Sequence, residues 1–300
     1  MPELPEVEVL ARHLAPLLRN RTIRHVSVRR TKVLAPTPAE EFKWTLRGAK
    51  FQGLRRRGKC LLFDLRSKTG QRLVFLGHLG MTGRMYLSPA KTPLPKHAAV
   101  VFDLGRENFI FEDTRYFGRL TFDTSSIAKL GPEPLDDEFS IEKFSDALKR
   151  SAQPIKVKLL DQGVVAGLGN IYASEALFRA RISPRVAARR LKPAQLARLR
   201  RAIRETLTEA IERGSTIPLN YTGAGRRDGF FYFGRAPGAP DFYAERLQVY
   251  DRAGEPCREC GTAIKRLVQA ARSTFYCPNC QRGWRLKRGQ NQIDVGKFSS

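Results

Sequence analysis

The chain is poor in acid, has almost no cysteine outside two tight pairs, and lacks any long apolar stretch. Against 54 lysines and arginines it sets only 29 aspartates and glutamates, a formal charge of +25. That deficit implies a polyanionic partner, because Lys and Arg gain affinity by displacing counterions from phosphates. Charge alone leaves DNA, RNA, ribosome and acidic membrane open, with nucleic acid the leading reading. No run of eighteen apolar residues exists, so neither a transmembrane helix nor a membrane partner is expected. Glu3, Glu6, Glu8, Arg12 and Arg19 interrupt the apolar region a secretory leader would need. Five cysteines, an odd number with four of them in two close pairs, argue against a disulfide framework and for an intracellular metal site. Internal repeats and long low-complexity tracts are absent.

What is present suits two packed cores and a small module: 300 residues, 42% of them apolar. Val7, Leu10 and Leu14 predict a helix over 3–14, with Pro16 expected to kink or end it. From 22 to 122 short apolar runs at 61–65, 73–76, 100–104 and 109–111 alternate with Gly, Pro and Arg clusters. That pattern predicts an antiparallel β domain of two packed sheets, with 105–108 as a hairpin turn. The Pro- and acid-rich stretch LGPEPLDDEF at 130–139 reads as a linker. Helices are expected at 141–150, 155–162, 171–180 and, most clearly, 193–213. There Leu196, Leu199, Ile203, Leu207 and Ile211 share one face, Arg198, Arg201 and Arg204 the other, and Gly214 is a stop. The overall class is therefore α+β. The Gly-, aromatic- and Arg-rich connection at 215–246 is either functional or partly disordered.

Cys257 and Cys260 form one C-x2-C, and Cys277 and Cys280 a second, sixteen residues on. A hairpin between the pairs would bring four thiolates into the closed tetrahedron of a structural Zn2+ ion, with no open position for catalysis. Cys60, inside an apolar run, reads as a core residue rather than a ligand. Arg272, five residues before Cys277, is either a solvated arginine or a rigid contact for a phosphate.

The chain opens Met-Pro-Glu-Leu-Pro-Glu. Removal of Met1 would leave Pro2 as a secondary amine with a pKa near ~8, against ~10.4 for lysine, and so more often unprotonated at neutral pH. Such an amine can attack an aldehydic carbon to form a cationic iminium, and Glu3 stands beside it to move protons at a sugar. Many chains begin Met-Pro for ordinary processing reasons, so this start alone decides nothing.

Four separated motifs occur in order: PELPEVE at 2–8, HLGMTG at 78–83 preceded by Lys59, GVVAGLGNIYASEAL at 163–177, and the cysteine hairpin with Arg272. In this order the chain resembles the formamidopyrimidine-DNA glycosylase/endonuclease VIII family. The resemblance implies an N-terminal β-sandwich domain with a leading helix, a helix–two-turn–helix domain and a zinc-ribbon hairpin. It also implies residue roles. Pro2 matches the nucleophile, Glu3 the acid that helps open the deoxyribose ring, and Glu6 a supporting carboxylate. Lys59 matches a lysine that touches phosphate and the damaged nucleotide, and Arg272 an arginine gripping the backbone beside the lesion. Lys156 and Asn170 match phosphate contacts, and His78 and His97 are grouped with the DNA-binding residues. Met81, Arg115 and Phe117 match residues that fill the hole left by an extruded base; taken singly, a Met and a Phe would more often be core.

On this reading the domains run 1–131, 132–250 with a lesion-capping loop, and 251–282, followed by a basic tail at 283–300. The expected function is removal of oxidised purines (8-oxoguanine, formamidopyrimidines) from duplex DNA by a monomeric cytoplasmic, nucleoid-associated glycosylase and abasic-site lyase. Two alternatives stay open. One is an endonuclease VIII-like preference for oxidised pyrimidines, and the other a non-catalytic zinc-containing DNA-binding protein. Three segments depart from the family pattern: the long aromatic and Arg-rich stretch after Gly214, Lys-His-Ala-Ala around His97, and the tail with Trp284, Arg285, Lys287 and Arg288. The first either stacks on a base or packs on its own domain, and the last either adds DNA affinity or is disordered.

Overall fold

The computed structural model describes residues 2–213 and 246–282. Helix α1 (Leu4–Leu18) leads into strand β1 (His25–Val28), a 3-10 turn at Thr31–Leu34 and helix α2 (Ala39–Leu46). Seven further strands follow: β2 (Lys50–Arg57), β3 (Cys60–Arg66), β4 (Arg72–His78), β5 (Arg84–Pro89), β6 (Ala98–Asp103), β7 (Glu107–Glu112) and β8 (Arg119–Thr121). They form two antiparallel four-stranded sheets, ordered β2-β3-β4-β8 and β1-β6-β7-β5, as the alternating apolar runs predict. Phenylalanines from both sheets fill the space between them. Phe63 stacks on Phe75 at 4.5 Å, Phe75 on Phe102 at 5.9 Å, and Phe51 meets Phe109 edge-on at 6.2 Å, the offset and T-shaped geometries aromatic rings prefer.

Two details differ from the sequence reading. Helix α1 runs two residues past Pro16. A proline there removes only one late hydrogen bond, and Arg19 N–H still closes the turn on the Ala15 carbonyl. Helix α2 lies inside what reads as a continuous β region, and its Phe42 enters the same aromatic core, 5.7 Å from Phe75.

The second half is helical: α3 (Ser125–Ala128), α4 (Ile141–Leu148), α5 (Ile155–Leu159), α6 (Asn170–Arg179) and α7 (Pro193–Glu212). Helix α7 buries the expected stripe of Leu196, Leu199, Ile203, Leu207 and Ile211. Helix α1 packs against both β2 and α7, so one continuous apolar core runs from the sandwich into the helices. The stretch 130–139 has no regular structure but is not a loose linker. The Glu133 carboxylate is buried and accepts from Arg56 Nη1 (2.7 Å), Arg57 Nη1 (3.0 Å) and Gly58 N–H (2.6 Å). It thereby clamps the β2–β3 turn, from which Lys59 emerges, to the helical half.

The chain closes with a hairpin, β9 (Lys265–Gln269) and β10 (Arg272–Tyr276). Its two-residue turn places Ala270 and Ala271 in the left-handed region at φ 46° and 57°, the conformation a tight hairpin needs but one that costs a non-glycine residue ~1–2 kcal/mol. Phe178 from α6 joins Val249, Ile264, Phe275, Cys257 and Cys277 in a small core beneath this hairpin. The connection at 215–246 and the tail at 283–300 fall, apart from Arg246, outside the described residues, as do the readings that rest on them.

Candidate active site and nucleic-acid interface

The start of the chain is buried where three parts of the molecule meet. Glu3 is the N-cap of α1, and its backbone N–H donates to Glu6 Oε2 at 2.8 Å. Its carboxylate does not face solvent. Oε1 accepts from Ile171 N–H at 2.9 Å and Oε2 from Tyr172 N–H at 3.3 Å, so Glu3 occupies the amide donors at the start of α6. The glycine turn before α6 does create a site of the kind that holds anions, and in this structure the Glu3 carboxyl fills it. Gly169 makes this close approach possible: a Cβ there would sit 2.3 Å from Glu3 Cδ. The other oxygen of Glu6 accepts from Tyr172 OH at 2.6 Å. Tyr172, one of the largest fully buried side chains, carries a role the sequence reading missed. Pro2, also buried, immediately precedes this network.

Electrostatics follow from burial. Glu3 is only 2% exposed, and loss of hydration pushes its pKa above the ordinary carboxylate value despite the nearby Lys59 ammonium, with Glu6 adding to the rise. Lys59 moves the other way: burial favours its neutral form, Glu3 opposes this, and Arg272 reinforces it. The start of α6 meets the chain start through Glu3 and the hairpin through Asn170 Nδ2, which donates to the Ser273 carbonyl next to Arg272, so the hairpin and the chain start border one site. Cys60, half-buried on β3, has its thiol pushed up to about 11 by burial, which fits an inert packing residue.

Lys156 departs from expectation. It is fully buried, and its ammonium donates to Asn170 Oδ1, to the Ser273 carbonyl at 3.2 Å and to Thr274 Oγ1 at 3.0 Å. All three protons are committed within the protein, and desolvation lowers its pKa to about 8. Asn170 Nδ2 donates to the same Ser273 carbonyl at 3.0 Å. In this structure Lys156 is a strut between α6 and the hairpin that carries Arg272, rather than a solvent-facing phosphate ligand. Glu175, likewise unforeseen, accepts from the N–H groups of Gln248, Val249 and Tyr250 and anchors the re-entry into the hairpin module.

The four sulfurs of Cys257, Cys260, Cys277 and Cys280 lie within 4.8 Å of one another. Two of the separations are 3.9 Å (Cys257–Cys280) and 3.5 Å (Cys260–Cys277), close to the ~3.8 Å edge of a tetrahedron with Zn–S bonds of ~2.3 Å. The donor set fits one structural zinc ion. Chelating it is expected to weaken binding to duplex DNA ~10- to 100-fold, the worth of a charge-assisted contact such as Arg272 would make. The sandwich, with its own core, should meanwhile keep its thermal transition. Unchanged affinity after verified metal loss would refute that linkage.

On the sandwich side, two loops come together. Met81 (40% exposed) and Phe117 (48% exposed) are among the few large apolar side chains presented to solvent. The Arg115 guanidinium lies 4.8 Å from the centroid of the Phe117 ring, a cation–π contact. Asp113, fully buried, ties both loops by accepting from Thr82 Oγ1 (2.6 Å), Arg115 N–H (3.1 Å) and Gly118 N–H (2.8 Å). His97 stands at the base of the second loop, 3.3 Å from Tyr116 OH. Exposed apolar side chains on two loops, a buried acid, one buried and one half-buried lysine and an arginine on the cysteine hairpin suit a duplex opened around one nucleotide.

Comparison with known proteins agrees. Residues 1–120 match the model of the formamidopyrimidine-DNA glycosylase N-terminal domain, 130–220 that of its H2TH domain, and 254–283 that of a zinc finger found in FPG and IleRS. The chain is 39% identical over 282 residues to a formamidopyrimidine-DNA glycosylase of Carboxydothermus hydrogenoformans, covering 94% of this chain and 100% of the relative. It is 42% identical over 291 residues to that of Symbiobacterium thermophilum, covering 94% and 89%. Among solved structures it resembles a variant of the Lactococcus lactis enzyme in complex with Fapy-dG-containing DNA, at TM-score 0.82 and 31% identity, covering 94% of this chain and 100% of that one. It also resembles the MutM (FPG) protein of Thermus thermophilus, at TM-score 0.78 and 39% identity, covering 93% and 98%.

Proposed function

The chain belongs to the formamidopyrimidine-DNA glycosylase family, and from that premise we propose how its residues excise oxidised purines from duplex DNA and cut the strand that remains. The observation that carries the reading is the buried Glu3 carboxyl beside Pro2, held by the α6 amides and facing Lys59. A protein that only binds DNA has no use for a buried acid of raised pKa next to an N-terminal amine.

The damaged nucleotide swings out of the helix, and Met81, Arg115 and Phe117 enter the gap. Phe117 and Met81 replace lost stacking, and Arg115 hydrogen-bonds the widowed base. The free amine of Pro2 attacks C1′, and the C1′–N bond breaks with its electron pair leaving on the base, which takes up the proton that the Pro2 nitrogen sheds. Glu3, whose pKa burial raises, gives its proton to the ring oxygen as the C1′–O4′ bond opens, yielding an iminium between Pro2 and the open sugar. The iminium acidifies the C2′–H bond. Loss of that proton expels the 3′ phosphate, and a second elimination expels the 5′ phosphate. Glu6 holds the Glu3 amide, and Lys59 offers its charge to the sugar–phosphate beside Glu3. Asn170 and Arg272 take phosphates, with Lys156 bracing the hairpin on which Arg272 sits. His78 and His97 flank the wedge loops on the DNA side. Zinc, bound by Cys257, Cys260, Cys277 and Cys280, supplies rigidity alone, because four thiolates leave no coordination position free.

The domain limits proposed above, 1–131, 132–250 and 251–282, divide the catalytic sandwich from the helical DNA-binding part and the hairpin. No helix among the described residues is long and apolar enough to cross a membrane, and the action on DNA places the proposed site of work in the cytoplasm at the nucleoid. A lesion panel tests the substrate assignment. Excision of 8-oxoguanine opposite cytosine is expected to exceed that of oxidised pyrimidines by roughly tenfold or more, the worth of one net hydrogen bond made to the purine alone. A reversed ratio would move the protein to a pyrimidine-type specificity.

A further inference from the structure

His78 ends β4, between Cys60 on β3 and Arg119 on β8 in the sheet register. Its Nδ1 accepts the backbone N–H of Gly80 at 3.1 Å. Gly80 holds a left-handed conformation, φ +64°, which opens the turn toward Met81. That residue is also where the two wedge loops touch: a Cβ on Gly80 would lie 2.6 Å from Gly118 N and 2.7 Å from the Phe117 carbonyl carbon. Within the Met81 loop Gly83 N–H donates to the Leu79 carbonyl at 2.8 Å, Thr82 ties the loop across to Asp113, and the His78–Gly80 hydrogen bond holds the residue at the point of contact with the Phe117 loop.

We propose that His78 is a positioning residue for the wedge: through Nδ1 it holds the Gly80 amide and so sets the Met81 loop against the Phe117 loop. This role is distinct from a contact of its Nε2 with phosphate. An Nδ1 that accepts must carry no proton, so the neutral ring bears its hydrogen on Nε2, which remains a donor. One imidazole then joins the strand-backbone contact to the device that fills the gap. Burial, with the charges of Lys59 and Arg119 beside the ring, favours the neutral form this requires. The inference rests on the wedge role proposed for Met81 and Phe117.

The two ring nitrogens can be separated by substitution. Asn places an amide oxygen where Nδ1 lies, and Gln places an amide nitrogen where Nε2 lies. The readout uses zinc-loaded full-length protein, saturating over a duplex with a tetrahydrofuran abasic analogue opposite cytosine and 2-aminopurine as its neighbour. Wedge insertion unstacks the probe and raises its fluorescence. His78→Asn is expected to keep the wild-type amplitude while weakening affinity at moderate salt. His78→Gln is expected to keep the affinity but lose roughly fivefold in wedge-inserted population, the worth of one hydrogen bond. Phe117→Ala is the control and should abolish the signal. If that variant leaves the amplitude intact, the wedge reading fails and this inference with it. If it abolishes the signal yet His78→Asn and His78→Gln have the same amplitude, only the inference falls.

Discussion

Glu3→Gln is expected to slow excision of 8-oxoguanine by ~10²- to 10⁴-fold, the usual contribution of a positioned proton donor. Cleavage of DNA that already contains an abasic site should fall far less. Glutamine keeps the shape of the side chain and one acceptor for the α6 amides, but it has no acidic proton to give to the ring oxygen. An abasic sugar exposes an aldehyde in equilibrium with its closed form, so Pro2 can form its iminium there without that proton. The same assignment fixes the pH dependence. Glu3 has a raised pKa, so its acid form persists at higher pH than in an ordinary carboxylate, and excision falls on the alkaline side as that proton is lost. On the acid side it falls as the Pro2 amine becomes protonated, which an ordinary α-amine does at about 8. For stability, the folded form holds the Glu3 proton where the unfolded chain does not. The contribution from Glu3 is thus fully present below the ordinary carboxylate value of 4.5 and is lost as pH rises through the raised one. Equal loss of excision and abasic-site cleavage in Glu3→Gln would reduce Glu3 to a structural cap.

Gly169→Ala should also lower excision, by ~10²-fold, although Gly169 touches no substrate. The new Cβ would lie 2.3 Å from Glu3 Cδ and 2.4 Å from Oε1. Neither side can yield cheaply, because Glu3 is buried against the α6 amides and Gly169 is fixed at the start of that helix. The carboxyl must move by something near an ångström, and misplacement on that scale carries a penalty of that size. Binding to an abasic-analogue duplex should change much less, since Asn170 and Arg272 reach their positions through the hairpin. Wild-type excision in Gly169→Ala would mean that the proton comes from elsewhere.

Much of this was legible in the residues, because local rules decided it. The α7 stripe, the alternating runs of the sandwich and the two C-x2-C pairs each sit in a pattern that the backbone period or a metal requires. The order of motifs pointed to Pro2, Glu3, Lys59 and Arg272, which the fold brings into one neighbourhood. What stayed hidden depends on contacts between distant segments. Helix α2 is short, and its Phe42 reads equally well as a strand residue until the sandwich places it between sheets. Glu133 looks like one more acid in a loop, and only the approach of Arg56, Arg57 and Gly58, more than seventy residues away in sequence, makes it a clamp. Lys156 resembles a surface cation, yet Ser273 and Thr274 surround it from the far end of the chain. Asp113 could have been noticed, since an acid opening the Asp-Thr-Arg-Tyr-Phe-Gly turn is a natural acceptor for turn amides.

The central claim is that the N-terminal imino group of this chain becomes covalently attached to the sugar of the excised base. Borohydride reduction during reaction with an 8-oxoguanine duplex, followed by proteolysis and mass spectrometry of the cross-linked peptide, reads this directly. The account predicts one adduct, on the nitrogen of Pro2 in a peptide that has lost Met1. An adduct on a lysine such as Lys59, or an excised base with no trapped peptide from a chain retaining Met1, would contradict it.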